Sequence, residues 1–145
     1  MKKINAPAID KGMVINEREL ISFSDVENQR NGDFLNRVLV FKDDGLGTSQ
    51  SQYSSALLKS LIRETSLSPL LPKVIILMNR GVLLAINSSF LLADLRLLES
   101  KGVLILSNCS CLETHKALDQ LAVGGVTTMG NIIEIMNLAK SVVVF

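Results

Sequence analysis

Four short apolar runs punctuate the chain from residue 37 onward: RVLVF (37–41), KVIILM (73–78), VLILS (103–107) and SVVVF (141–145). They are nearly continuous in Leu, Ile and Val rather than alternating, which is the pattern of strands buried on both faces. The segments between them repeat apolar residues at helical spacing. From about Ser51 to Glu64, Tyr53, Leu57, Leu58 and Leu61 mark one helix, with Ser49 and Gln52 as its capping box. From about Ser89 to Ser100, Leu91, Leu95 and Leu98 mark a second, stopped by Gly102. A third is predicted to begin near Cys111 and end before Gly124 and Gly125, and a fourth places Met129, Ile132, Ile133 and Met136 on one face. This alternation, with right-handed crossovers, predicts an α/β fold: a mostly parallel sheet of about four to five strands with helices on both faces. Residues 1–36 are more polar, carry Pro7, Gly12 and Gly32, and read as an N-terminal extension with little core of its own; residues 37–145 form the α/β domain.

A chain of 145 residues can bury an adequate core without disulfide or metal support. Its 48% hydrophobic content comes with no Trp, one Tyr and five Phe, so it lacks the aromatic platforms of single-strand nucleic-acid binders. With 15 basic against 14 acidic residues it carries no field to recruit nucleic acid or an acidic membrane. The mean hydropathy of +0.34 predicts apolar surface covered by a second subunit, and hence a homo-oligomer. The lysines at the N-terminus precede INAPAIDKG rather than an apolar stretch, and Asn79, Arg80, Asn87 and Asp94 interrupt the richest apolar region. Neither an export signal nor a membrane span is predicted, and the expected location is the cytoplasm. There a cysteine pair is more often catalytic, redox-active or metal-binding than a structural disulfide.

The two cysteines of the chain stand in VLILSNCSCLETH (103–115), behind the third apolar run, with the single histidine four positions after the second. Open parallel sheets bind ligands at the C-terminal edges of their strands, which places Asn108, Cys109, Ser110 and Cys111 at a candidate site. Ser110 and Glu113 match the S-x-x-E capping box and predict Cys111 as the first helical residue, facing free N–H groups and the positive end of the dipole, which favour a thiolate. Glu113 opposes that effect. His115 is one turn on, and its imidazole is predicted to lean towards Cys111. Cys109 is then left outside the helix in extended backbone, as a secondary thiol at most. The same residues are also compatible with two core cysteines beside a subunit contact, with a three-ligand metal site, or with a chance Cys–His pair.

Other loops supply candidate rim residues. Gly45 and Gly47 follow the first strand as in a phosphate-cradling turn, but Gln50 replaces the third glycine of that motif, and Asp43 and Asp44 oppose an anion. Asn79 and Gly81 follow the second strand; Gly124 and Thr127 form a connection into the last helix. Structural turn glycines are the favoured reading of Gly45 and Gly47, and a plain turn explains Asn79 to Gly81 equally well.

DDGLG after the first strand, NRGV after the second, SNCSCLE after the third and LAVGGVTTM before the last helix together resemble the DsrE-like domain of the YedF type, within the DsrE/DsrF sulfur-relay family. The resemblance covers the chain from about Val38 to its end. It implies a small α/β domain forming homo-oligomers, linked to sulfur or selenium metabolism. It further implies persulfide carriage on Cys111 without a cofactor, in exchange with a donor or acceptor protein that has a reactive cysteine. Two departures stand out. The family's C-G-x-C pattern would put cysteines at 108 and 111, whereas this chain has Asn108 and Cys109. A TusA-like N-terminal domain with its own C-P-x-P cysteine would be reduced to NAPAI, with Asn5 at the cysteine position. A non-catalytic oligomeric binding or regulatory module is therefore the competing expectation.

Overall fold

The computed structural model describes residues 14–15, 18–22, 34–47 and 52–145. β1 (Val14–Ile15) and β2 (Arg18–Glu19) form a small antiparallel pair. β3 (Phe34–Phe41), β4 (Leu71–Leu77), β5 (Leu104–Asn108), β6 (Gly125–Thr127) and β7 (Ser141–Val144) form the main sheet, in the order β6-β5-β4-β3-β7. All four of its pairings are parallel. The helices are α1 (Gln52–Leu67), α2 (Leu92–Ser100), α3 (Cys109–Thr114) and α4 (Met129–Leu138), with 3-10 segments at Asn79–Ala85 and Leu118–Gln120.

The chain steps in one direction from β3 to β6, and right-handed crossovers place α1, α2 and α3 on one face. The return from β6 to β7 reverses the step and sends α4 to the other face. The core divides accordingly. Leu58 and Ile62 of α1, Leu95 and Leu98 of α2 and Leu112 of α3 pack on Leu39, Phe41, Ile75, Leu77 and Ile105. Ile132 and Ile135 of α4 pack on Val38, Val40, Val74, Ile76 and Leu106. Alternate residues of β3 and β4 thus enter different cores, which explains their unbroken apolar runs. Each fully buried Leu or Ile contributes about 1.5–3 kcal/mol relative to exposure.

The expected α/β class holds, with five strands, all parallel, and helices on both faces. Several elements differ in detail. β3 starts at Phe34, three residues before Arg37. SVVVF forms the edge strand β7 rather than a strand buried on both faces, and Val143 and Val144 are exposed. In α1 the buried stripe is Ser54, Leu58, Ile62 and Ser66, leaving Tyr53 and Leu57 in solvent; Ser49 of the expected capping box lies outside the described residues. In α4, Ile132 and Ile135 face inward while Met129 and Ile133 are exposed.

The third helix differs most. It runs only to Thr114, because Lys116 turns left-handed at φ +53°. The Ala117 N–H then donates to the Leu112 carbonyl at 2.8 Å and the Lys116 N–H to the Glu113 carbonyl at 3.0 Å, a Schellman termination. β6 follows where a loop was expected. It pairs with β5 on one side, and on the other Leu20 forms a parallel bridge to Val126. Leu20 is fully buried, the Ile21 N–H donates to the Val126 carbonyl at 2.8 Å, and the Ile21 carbonyl accepts from Thr127 Oγ1 at 2.7 Å.

Candidate functional site

Because every pairing in the main sheet is parallel, the segments after β3, β4 and β5 emerge at one edge of it. The segment after β4 is pinned to the end of β3: the Met78 N–H donates to the Phe41 carbonyl at 3.0 Å. Gly81 then passes so close to that carbonyl that a Cβ would collide with it, which requires glycine. Between these two anchors Asn79 takes a left-handed conformation, φ +50°, which asparagine tolerates better than most residues. Its backbone N–H donates to Cys111 Sγ at 3.1 Å.

α3 begins two residues earlier than its S-x-x-E pattern predicts. Asn108, not Ser110, is the cap, and its side-chain oxygen accepts from the Cys111 N–H at 2.9 Å. Asparagine is among the strongest N-cap residues, and the strand delivers it in the extended conformation a cap requires, φ −68° and ψ 126°. Glu113 is then too far along the helix to close a box with Ser110, whose side chain is exposed. Cys109 is consequently the first helical residue rather than an extended one, and is buried in the main core. Cys111, two positions on, points away from it as i and i+2 positions do, and is half-buried at the sheet edge. Both thiols are free.

His115 closes the helix and meets Cys111 through the backbone, its N–H donating to the Cys111 carbonyl at 3.0 Å. Among the described residues its imidazole makes no hydrogen bond to the thiol. Gly124 and Thr127 stand apart from the thiol. Gly124, left-handed at φ +76°, lies against the Ile105 carbonyl, and its N–H meets Glu99 Oε2 at 2.8 Å. The Thr127 hydroxyl is engaged by Ile21.

Asp44 and Asp43 follow β3 and face Arg80, next to Asn79. Arg80 donates to Asp44 Oδ2 at 2.9 Å, and its Nε lies 3.6 Å from Asp43 Oδ1. Burial works against the Asp44 carboxylate, but the hydrogen bond from Arg80, hydrogen bonding with Asp43 and the guanidinium charge outweigh it. They hold the group below its ordinary value of 3.8. The hydrogen bond and charge of Asp44 in turn raise the pKa of Arg80. Arg80 is missing from the sequence-based site residues. The signal was a single cation after one strand facing two carboxylates after its neighbour, a pairing visible only once β3 and β4 are known to be adjacent.

Beside this ion pair lies a cleft of about 520 Å³ lined by Lys42, Asp43, Gly45, Gly47, Asn79 and Phe145. The structure therefore brings Asn79 to Cys111, places Asn79 with Gly45 and Gly47 around one cleft, and sets Asp44 and Gly81 as anchors behind them. Among the described residues no group of three or more His, Cys, Asp or Glu is placed to hold a metal ion, and no helix is long and apolar enough to cross a membrane.

Two solved structures superpose on most of this chain. The ychN protein from E. coli superposes with a TM-score of 0.53 over 75% of this chain and 98% of its own, at 17% identity. MTH1491 from Methanobacterium thermoautotrophicum, a protein of unknown function, superposes with a TM-score of 0.56 over the same shares, at 18% identity. This chain shares the fold of these two proteins. At these identities the likeness concerns the fold alone, and function has to be argued from the site. No family model matches the sequence, and no curated protein matches it either.

Proposed function

We propose that this chain is a sulfur-relay protein that accepts and presents sulfane sulfur on Cys111. The observation that carries the reading is the Asn79 N–H aimed at Cys111 Sγ from 3.1 Å, on a half-buried thiol at the ligand-binding edge of a parallel sheet. An N–H held against sulfur replaces part of the hydration a thiolate would lose there, and the thiolate is the form that attacks. In the step proposed, the Cys111 thiolate attacks the outer sulfur of a persulfide R–S–SH. The Sγ–S bond forms, the S–S bond of the donor persulfide breaks, and the electron pair leaves on R–S⁻, which takes a proton from water. Attack by the reactive cysteine of an acceptor protein repeats the exchange and regenerates Cys111. No external oxidant, reductant or cofactor enters the balance. The protein is proposed to act as a homo-oligomer in the cytoplasm, in keeping with its apolar composition.

Incubation with inorganic polysulfide followed by peptide mass spectrometry tests the reading. One added sulfur atom on Cys111 is expected. A native protein left unmodified, when the denatured chain is modified readily, would overturn it.

A second reading, a binding or regulatory module without relay chemistry, is favoured by Asn108. The position where the resembling family has a second cysteine is here given to a helix cap, so a two-thiol handover within this loop is not available.

A further inference from the structure

The cleft beside Asn79 has no part in the exchange at Cys111 as written above, yet it holds a specific pair of charges. It opens at the C-terminal ends of β3, β4 and β7, where the strand order reverses: the chain leaves β3 towards β4 on one side and returns as β7 on the other. Such reversal points are where open parallel sheets leave a crevice for ligands. A volume of about 520 Å³ suits a small molecule. Among the described residues its lining carries one cation, Lys42, and one anion, Asp43. The neighbouring charges are already matched, because Arg80 is hydrogen-bonded to Asp44. Asp43 Oδ1 accepts from the Asp44 N–H at 2.8 Å and pairs with Arg80 Nε at 3.6 Å, at a partly exposed position, and Lys42 is exposed. Phe145 forms an apolar wall, fixed by ring stacking on Phe41 at 4.9 Å and by its backbone N–H donating to the Val40 carbonyl at 2.8 Å. Asn79 belongs to both places, lining the cleft and donating to Cys111 Sγ.

A Lys–Asp pair flanking glycines complements a ligand that carries a carboxylate and an ammonium together. We infer that this cleft binds a small α-amino-acid persulfide, its carboxylate on Lys42, its ammonium on Asp43 and its sulfur arm towards Cys111. The inference rests on the relay reading and names the donor in it. Sulfur moves as described above: Cys111 Sγ bonds to the outer sulfur, and the parent amino-acid thiolate leaves, taking a proton from water. Gly47, with open space where a side chain would stand, keeps the wall low enough for the ligand backbone to approach, while Gly45 is held against Ser54.

S-methyl-L-cysteine, which keeps the two charges but cannot exchange sulfur, is the probe, and the Cys111→Ser protein is the first target. Saturable NMR shifts at the backbone amides of Gly45, Gly47 and Phe145 are expected, with affinity falling about tenfold in Lys42→Met and in Asp43→Asn, as loss of a charge-assisted contact implies. An analogue lacking the ammonium should bind comparably weakly. Absence of saturable shifts, or equal binding of the analogue, overturns the inference. With the unmodified protein, S-methyl-L-cysteine should compete with cysteine persulfide for sulfur loading of Cys111. Loading by cysteine persulfide that S-methyl-L-cysteine does not slow keeps the relay and removes the cleft from it. Saturable binding on a protein whose Cys111 takes no sulfur overturns the relay and, with it, the donor role inferred here.

Discussion

The backbone N–H of Asn79 reaches Cys111 Sγ across 3.1 Å, joining the segment after β4 to the helix after β5. On the Asn79 side the contact depends on backbone alone, since the donor is an amide held by the Met78–Phe41 hydrogen bond and by the close approach of Gly81. It separates the two thiols chemically. Cys111 has a polar partner at the protein edge, whereas Cys109 is 8% exposed among Leu and Val side chains.

Native alkylation with iodoacetamide, followed by peptide mass spectrometry, should therefore modify Cys111 first. Cys109→Ser should leave the Cys111 rate nearly unchanged while lowering stability by about 1–3 kcal/mol in urea denaturation, because it buries a hydroxyl in an apolar core. Faster labelling of Cys109 than of Cys111 would contradict the placement of both.

Asn108 controls where α3 starts and thereby which way each cysteine points. Asn108→Ala should cost about 1 kcal/mol, the usual cost of losing an N-cap side chain, and Asn108→Asp should recover most of it. Thermal or urea denaturation reads the stability. The ratio of Cys111 to Cys109 labelling reads the orientation, which should fall in the alanine variant as the first turn frays.

How much of this was legible in the sequence follows from what sets each feature. The first two apolar runs specify their strands because burial on both faces leaves no polar position from Val38 to Phe41 or from Val74 to Leu77. Leu91, Leu95 and Leu98 likewise mark α2, with Gly102 at φ +100° where its stop is expected. β6 is concealed because three residues with one large apolar side chain, Val126, carry no period; its stability comes from Leu106, Ser107 and Asn108 on one side and Leu20 on the other. The cap was misassigned because S-x-x-E matched at Ser110, while Asn108 stood inside what read as strand-end loop. The Asn79–Cys111 contact joins residues 32 positions apart through a backbone group, and no side-chain pattern encodes it.

The Asp44–Arg80 pair makes a pH-dependent contribution whose sign is set by the direction of the Asp44 shift. The folded carboxyl titrates below its ordinary 3.8, so the unfolded chain binds more protons between the two values, and stability rises with pH there. The contribution is complete above about pH 4 and is lost as the pH falls through the lower, folded value. Asp44 is 31% exposed and solvent screens the pair, so the effect should amount to about 1 kcal/mol or less. Urea midpoints measured from pH 6 down to pH 3 should fall less steeply for Asp44→Asn than for the unmodified protein. Parallel slopes would show that the pair contributes nothing to folding.

Lys116 supplies the last prediction, and it concerns the residue that conceals the true end of α3. A Schellman termination needs a left-handed residue just past the helix, a place glycine usually fills, and here Lys116 fills it at φ +53°. A side chain in that conformation costs roughly 1–2 kcal/mol. Glycine removes this cost but makes the unfolded chain more flexible, an opposing effect of about 0.4–1 kcal/mol. The difference leaves Lys116→Gly more stable by about 0.5–1 kcal/mol. Lys116 is exposed, so little packing is lost with its side chain. The expected result is a higher urea midpoint at an unchanged m-value, which assigns the gain to stability rather than to the compactness of either state. Lys116→Ala keeps the left-handed strain without the flexibility and should stay within about 0.5 kcal/mol of the starting protein. If glycine lowers the midpoint instead, α3 does not end at Thr114 in solution, and the turn that carries the chain from the thiol to β6 has a different form.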